Sequence, residues 1–268
     1  MLGKLLKYDF RSMGKQFAFI WPAALVLALL NRFTLGNIGN SGIVRELFSG
    51  VAMLVYVSIL IALFVIALIF IIQRFYKGLL GDEGYLMHTL PVRPWQLITS
   101  KAICALVASA VSVIVAVLSI LLLVPGALSG MFDFWPLFFV AIGREGFNGF
   151  LLLAELLLVL LVGALASFFQ LYLAMAIGHL FGKNRIAMSV IAYVAIQAVL
   201  NTAITVPLAV VGEWAGEHIN YFLADTFENN AWAVVHGGLW LLILGTAVIG
   251  AVFFFGTEYI LRKKLNLE

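Results

Sequence analysis

The chain has 268 residues, of which 64% are hydrophobic and 11% charged, with a mean hydropathy of +1.11 and a formal net charge of +3. Soluble domains carry about 25% charged residues, so this composition leaves too little polar surface to cover a globule and points to an integral membrane protein. The apolar blocks are continuous rather than alternating, and they reach the roughly 18 residues needed to cross the hydrocarbon as a helix, which favours an all-α polytopic fold over a strand barrel.

The opening segment, MLGKLLKYDFRSMGKQ, places Leu2, Leu5, Leu6, Phe10, Met13 and Phe17 at helical spacing and Lys4, Lys7, Arg11 and Lys15 on another face. This pattern predicts a basic amphipathic helix over 1–16 lying in the membrane surface. The basic region is long and no small-x-small site closes the following apolar run, so no cleaved leader is expected. A first span is predicted at 17–35, with Trp21 in the interfacial belt and Pro22 in or near the first turn. A polar segment follows, and a second span is predicted at 50–72.

A third span, 102–124, ends at Pro125-Gly126. Within 126–148 the patch FWPLFFVAI is too short to cross, which predicts a re-entrant or interfacial piece. The fourth block, 149–181, must tilt, bend near Gly163 or project into water. Gly182-Lys183-Asn184-Arg185 reads as a tight turn before a fifth span at 186–211. Residues 212–230 carry four acids and no Lys or Arg, and a sixth span is predicted at 231–260. Of the sixteen Lys and Arg residues, thirteen fall on the side that holds both termini, 73–101 and 183–185. The positive-inside rule then makes both termini and the 73–101 segment cytoplasmic.

Motifs for intrinsic catalysis are missing. No G-x-x-x-x-G-K-[ST] loop is present to cradle ATP phosphates; His88, His179, His218 and His236 are scattered, and no nucleic-acid signature is visible. The single cysteine, Cys104, reads as a small buried hydrophobe. Glu155, in LLLAELLLVL, is the one carboxylate well inside a span. An acid at the bilayer centre costs about 2.5–3.5 kcal/mol on insertion scales. Glu155 is therefore read as a pathway contact, a proton acceptor or an interhelix hydrogen bond, with snorkelling to the outer interface or a structural bond to a neighbouring helix as the plainer alternative. Gln170, Gln197 and Asn201 are expected to bond between helices.

The longest polar interruption is QRFYKGLLGDEGYLMHTLPVRPWQLITSK, residues 73–101. Gly81 permits a turn, Asp82 is a good N-cap and Glu83 suits a first helical turn. Tyr85, Leu86, Leu90 and Met87 supply an apolar face, with His88 among them, and Pro91 ends the helix. Pro94 suits the first position of a new helix leading through Lys101 into the third span. A short helix with exposed tyrosine and leucine needs a partner for its apolar face: the bilayer, the protein itself or a second subunit.

FYKGLLGDEGYLMHTLPV, followed by the basic QLITSK, resembles the coupling-helix region of bacterial ABC transporter permeases of the type-two (ABC-2-like) exporter class. The N-terminal MLGKLLKYDFRSMGK is similar to the amphipathic opening of the same permeases, and the resemblance covers essentially the whole chain. It implies a single permease domain over 1–268 in the bacterial plasma membrane that pairs with a second permease copy or paralogue and docks two cytoplasmic ABC ATPase subunits. ATP and Mg would then sit on the ATPase, and none in this chain. The docking residues implied are Asp82, Glu83, Tyr85, Leu86, Met87, His88, Leu90 and Pro91, and the acidic 212–230 segment would match the family's outer helical element. The 126–148 segment is longer than that pattern implies. The other functional classes compatible with the residues are a non-transporting sensor or assembly partner of an ATPase, and a secondary transporter, although no paired broken helices are evident.

Overall fold

The computed structural model describes residues 2–36, 43–80, 93–124, 126–181 and 184–263, and every regular element among them is helical. In chain order these are α1 (Leu2–Gly36), α2 (Ile43–Phe75) with a π-helical turn at Tyr76–Leu80, α3 (Pro94–Leu123), α4 (Ala127–Arg144), α5 (Gly146–His179) and α6 (Arg185–Lys263). Five stretches are long and apolar enough to cross a membrane: Gly50–Leu80, Pro94–Leu123, Gly146–His179, Arg185–Gly216 and Asn230–Lys263. A sixth is α1, if its segments Gly3–Lys15 and Phe17–Phe33, which meet at 41°, count as one. The chain is thus an all-α, multi-span membrane protein.

The bend in α1 falls between Lys15 and Phe17, at least five residues before Pro22, which lies inside the helix rather than in its first turn. The short arm before the bend is the amphipathic segment expected from its leucines and lysines. Its inward face differs from the expected one, however. Phe10 is exposed, whereas Asp9, Met13 and Phe17, each four residues apart, are buried. An acid therefore occupies the N-terminal end of the buried stripe.

The chain divides into two compact units, the first comprising 1–75 with 99–141. Here α1, α2 and α3 pack through Ala24, Leu63 and Val115 at one level and Ala28, Tyr56 and Leu123 at another. Two alanines on α1 let the backbones approach closely, as membrane interfaces require. Polar groups pair across the same seams: Tyr56 shares a 2.8 Å hydrogen bond with Ser119, and Asn31 donates to the Ala52 carbonyl at 3.0 Å. Trp21 also works here rather than in an interfacial belt, since its indole N–H donates to Ser112 at 3.1 Å and its ring stacks on Phe17. Cys104 is a free, buried thiol, as expected of a small hydrophobe.

Tyr76–Ile98 and 142–268 form the second unit. Its frame is α5, which runs unbroken through Gly163, and the two arms of α6. Gly178 lies against the Ser189 backbone and Gln170 bonds Gln197, so the outgoing arm of α6 runs antiparallel to α5. Glu155 meets His236, Ala166 lies by Gly250 and Leu173 by Gly256, so the return arm runs parallel to it. The reversal falls at Asn230, whose φ of −156° and ψ of 79° leave the helical region. Its Oδ1 accepts the Ala233 N–H at 3.2 Å, the bond by which an asparagine N-cap starts a new helix. The acidic stretch 212–230 is itself helical up to that cap.

Two loops are settled by single residues. Asn184 adopts φ of +55°, a left-handed conformation that asparagine tolerates, and its carbonyl accepts the Met188 N–H at 3.0 Å. The turn expected from Gly182-Lys183-Asn184-Arg185 is therefore seen at its described end. Pro94 opens α3 as expected, with the Arg93 carbonyl accepting the Gln96 N–H at 2.9 Å. The FWPLFFVAI patch lies in α4, which is helical over 18 residues, has no buried residue and does not qualify as a span.

Candidate functional site

Asp9 is only 2% exposed. One carboxylate oxygen, Oδ1, accepts Arg74 Nη2 at 2.6 Å and Lys101 Nζ at 2.5 Å, and Oδ2 accepts the Ser100 hydroxyl at 3.2 Å. The Tyr8 ring lies 5.8 Å from the Arg74 guanidinium, within reach of a cation–π contact. A buried carboxylate is tolerated when charged partners and further hydrogen bonds satisfy it. All of these conditions are met, which explains why the apolar stripe of the N-terminal arm carries an acid. Arg74 closes α2, where the negative end of the helix dipole also favours a cation. Lys101 lies in the first turns of α3. In sequence these two residues flank 81–92, so the arm of α1 is tied to the helices on both sides of that segment.

The docking residues expected from the sequence (Asp82, Glu83, Tyr85, Leu86, Met87, His88, Leu90 and Pro91) lie outside the described residues. What is described is the lead-in. After Phe75 the helix loosens into the π turn Tyr76–Leu80, which buries Gly78, Leu79 and Leu80. Such turns are often found at functional positions. Tyr76 meets the edge of His179, the last residue of α5, with ring centroids 6.2 Å apart. Both ring nitrogens of His179 are buried without a hydrogen-bond partner.

Glu155, in α5, is 2% exposed. Its Oε2 lies 2.6 Å from Nδ1 of His236 on the return arm of α6, and the Trp232 indole stacks on the imidazole at 5.4 Å. The Glu155 Oε1 and the His236 Nε2 are both buried and have no hydrogen-bond partner. Of the readings open for Glu155, the interhelix hydrogen bond is therefore realised. The other expected amide bond also forms, Gln170 donating to Gln197 at 2.8 Å, whereas Asn201 is exposed. Nearby, an open groove of about 340 Å³ between α5 and the return arm is lined by Ala166, Phe169, Gly250 and Phe254 among other apolar residues. It offers lipid or another helix a surface, but no chemistry. Among the described residues, no three His, Cys, Asp or Glu side chains gather as a metal centre would.

Asp9 and His236 did not stand out in the sequence. Asp9 carried one signal: it is the only acid in a basic helix, in register with Met13 and Phe17. His236 carried another, as an ionisable group within the last apolar block. In comparison with known protein families, curated proteins and solved structures, the chain has no match.

Proposed function

We propose that the chain is the membrane-spanning permease subunit of an ATP-driven bacterial exporter, working with a second permease copy or paralogue and with separate cytoplasmic ATPase subunits. The observation that carries this reading is the Asp9–Arg74–Lys101 cluster. A force applied to 81–92 reaches α2 and α3 directly, and the buried ion pairs carry it into the arm of α1. ATP and Mg are assigned to the partner, in keeping with a sequence that has no phosphate-binding loop. The resemblance of FYKGLLGDEGYLMHTLPV to a coupling-helix region supplies the identity of the partner, and the basic residues on one side supply the orientation, with both termini inside. The outgoing arm of α6, whose most apolar stretch is unburied within the chain, is left to lipid or the second copy. Export of a hydrophobic or amphipathic molecule follows from the family resemblance.

The test is copurification with the soluble ATPase. Leu86→Asp is expected to abolish copurification while the chain still inserts with all its spans; retention of the ATPase would overturn the docking role of 81–92. A second reading, a secondary transporter, is favoured by one observation, the Glu155–His236 pair inside a span. It predicts transport that follows a proton gradient with no ATPase present.

A further inference from the structure

We propose that Glu155 and His236 form a proton-binding site within the membrane that holds one exchangeable proton while α5 and the return arm of α6 are closed on each other. The inference does not depend on the ATPase reading. It starts from the 2.6 Å contact between Oε2 and Nδ1, which needs one proton between the two atoms. If that proton is the Nδ1–H of a neutral imidazole, the carboxylate leaves a net negative charge in an apolar site. Such a charge is costly when uncompensated.

One further proton removes the charge, and only two atoms of the pair can take it. Addition at Nε2 gives an imidazolium beside a carboxylate; addition at Oε1 gives a carboxylic acid beside a neutral imidazole. In both cases an N–H or O–H bond forms, no bond breaks and the pair becomes neutral. These two atoms, Oε1 and Nε2, are the ones found buried with no hydrogen-bond partner. Their burial admits nothing larger than a proton in the closed state. The side chain of His236 is 15% exposed against 2% for Glu155, so the imidazole is the less deeply enclosed member of the pair. Separation of α5 from the return arm would break the contact, hydrate both groups and free the proton.

Other ionisable groups towards the same end of these elements are Glu145 before α5, Asp225 and Glu228 before the return arm, and Glu213, Glu217 and His218 on the outgoing arm; His179, Arg185, Glu258, Arg262 and Lys263 lie towards the opposite end. Of the first group, Glu145, Glu213 and Asp225 are exposed. Their titration would add a background that a test must subtract.

A double-mutant cycle in stability, repeated from mildly acidic to mildly alkaline pH, makes that subtraction. Its corners are the wild-type full chain, Glu155→Gln, His236→Asn and the double variant, all in the same lipid nanodiscs. Asparagine places an amide N–H near the position of Nδ1 but takes no proton. The coupling between the two positions is expected to change with pH, because only the wild type exchanges the shared proton. A coupling that is constant or zero across that range would overturn the proposal. Infrared difference spectra of the wild type between the two pH extremes provide a measurement independent of variant folding. Paired carboxyl and imidazole bands are expected to change together, and spectra with no such paired change would equally overturn it.

Discussion

Two carboxylates are buried to the same degree in this chain, and their partners differ. Asp9 faces Arg74 and Lys101, with Ser100 on its second oxygen. Glu155 faces a single histidine, and its second oxygen has no partner. An arginine and a lysine give the first carboxylate two cationic partners and make it a joint between helices. A histidine carries charge only conditionally, so the second carboxylate sits in a site whose charge depends on a proton. Burial alone does not separate a structural acid from a functional one, whereas the number and kind of partners do.

Removing each acid without changing its shape separates the two sites most clearly. Asp9→Asn leaves the buried Lys101 and the partly buried Arg74 with no counter-charge, and the loss of one partner of a buried ion pair costs about 3–5 kcal/mol. Glu155→Gln keeps a neutral hydrogen bond to His236 and is expected to cost about 1 kcal/mol. Thermal unfolding of the two variants in the same detergent checks the order; an equal or reversed order would mean that Asp9 is not the stronger joint.

Gly178→Ala has a smaller expected effect and tests whether close helix contact holds the second unit together. A Cβ at this position would overlap the Ser189 backbone, so a loss of about 1–3 kcal/mol is expected from overpacking. No loss in unfolding experiments would show that the two helices can separate at this contact freely. The smallest expected change belongs to Gln197→Ala, which removes the bond from Gln170. Interhelical hydrogen bonds in membranes average about 0.6 kcal/mol, and a loss well above 2 kcal/mol would make this amide pair a third polar site of consequence.

The spans were legible because hydrocarbon thickness sets their length and composition directly. The predicted intervals at 50–72, 186–211 and 231–260 fall within helices long enough to cross, and those at 102–124 and 149–181 overrun theirs by one and two residues. The start of α3 at Pro94 was also legible because it depends on local chemistry, and the interhelical role of Gln170 and Gln197 because amides in hydrocarbon need partners, although which amide meets which was not. Glu155 stood out because few other residue types are so costly at that depth. Its partner did not, because the pairing depends on the return arm running parallel to α5, which follows from the reversal at Asn230. Asp9 was hidden for the opposite reason: an acid among lysines on an amphipathic helix looks solvated until Arg74 and Lys101 are brought to it by the packing of α2 and α3. Local pattern gives the elements, but the site depends on which elements meet.

The most direct test of the proposed role is ATP turnover by the soluble ATPase, measured alone, with the wild-type chain and with Leu86→Asp, all reconstituted in the same lipid. The account predicts that the wild-type chain stimulates turnover and that Leu86→Asp does not. Turnover that is the same in all three preparations would contradict the claim that this chain receives force from an ATPase through 81–92.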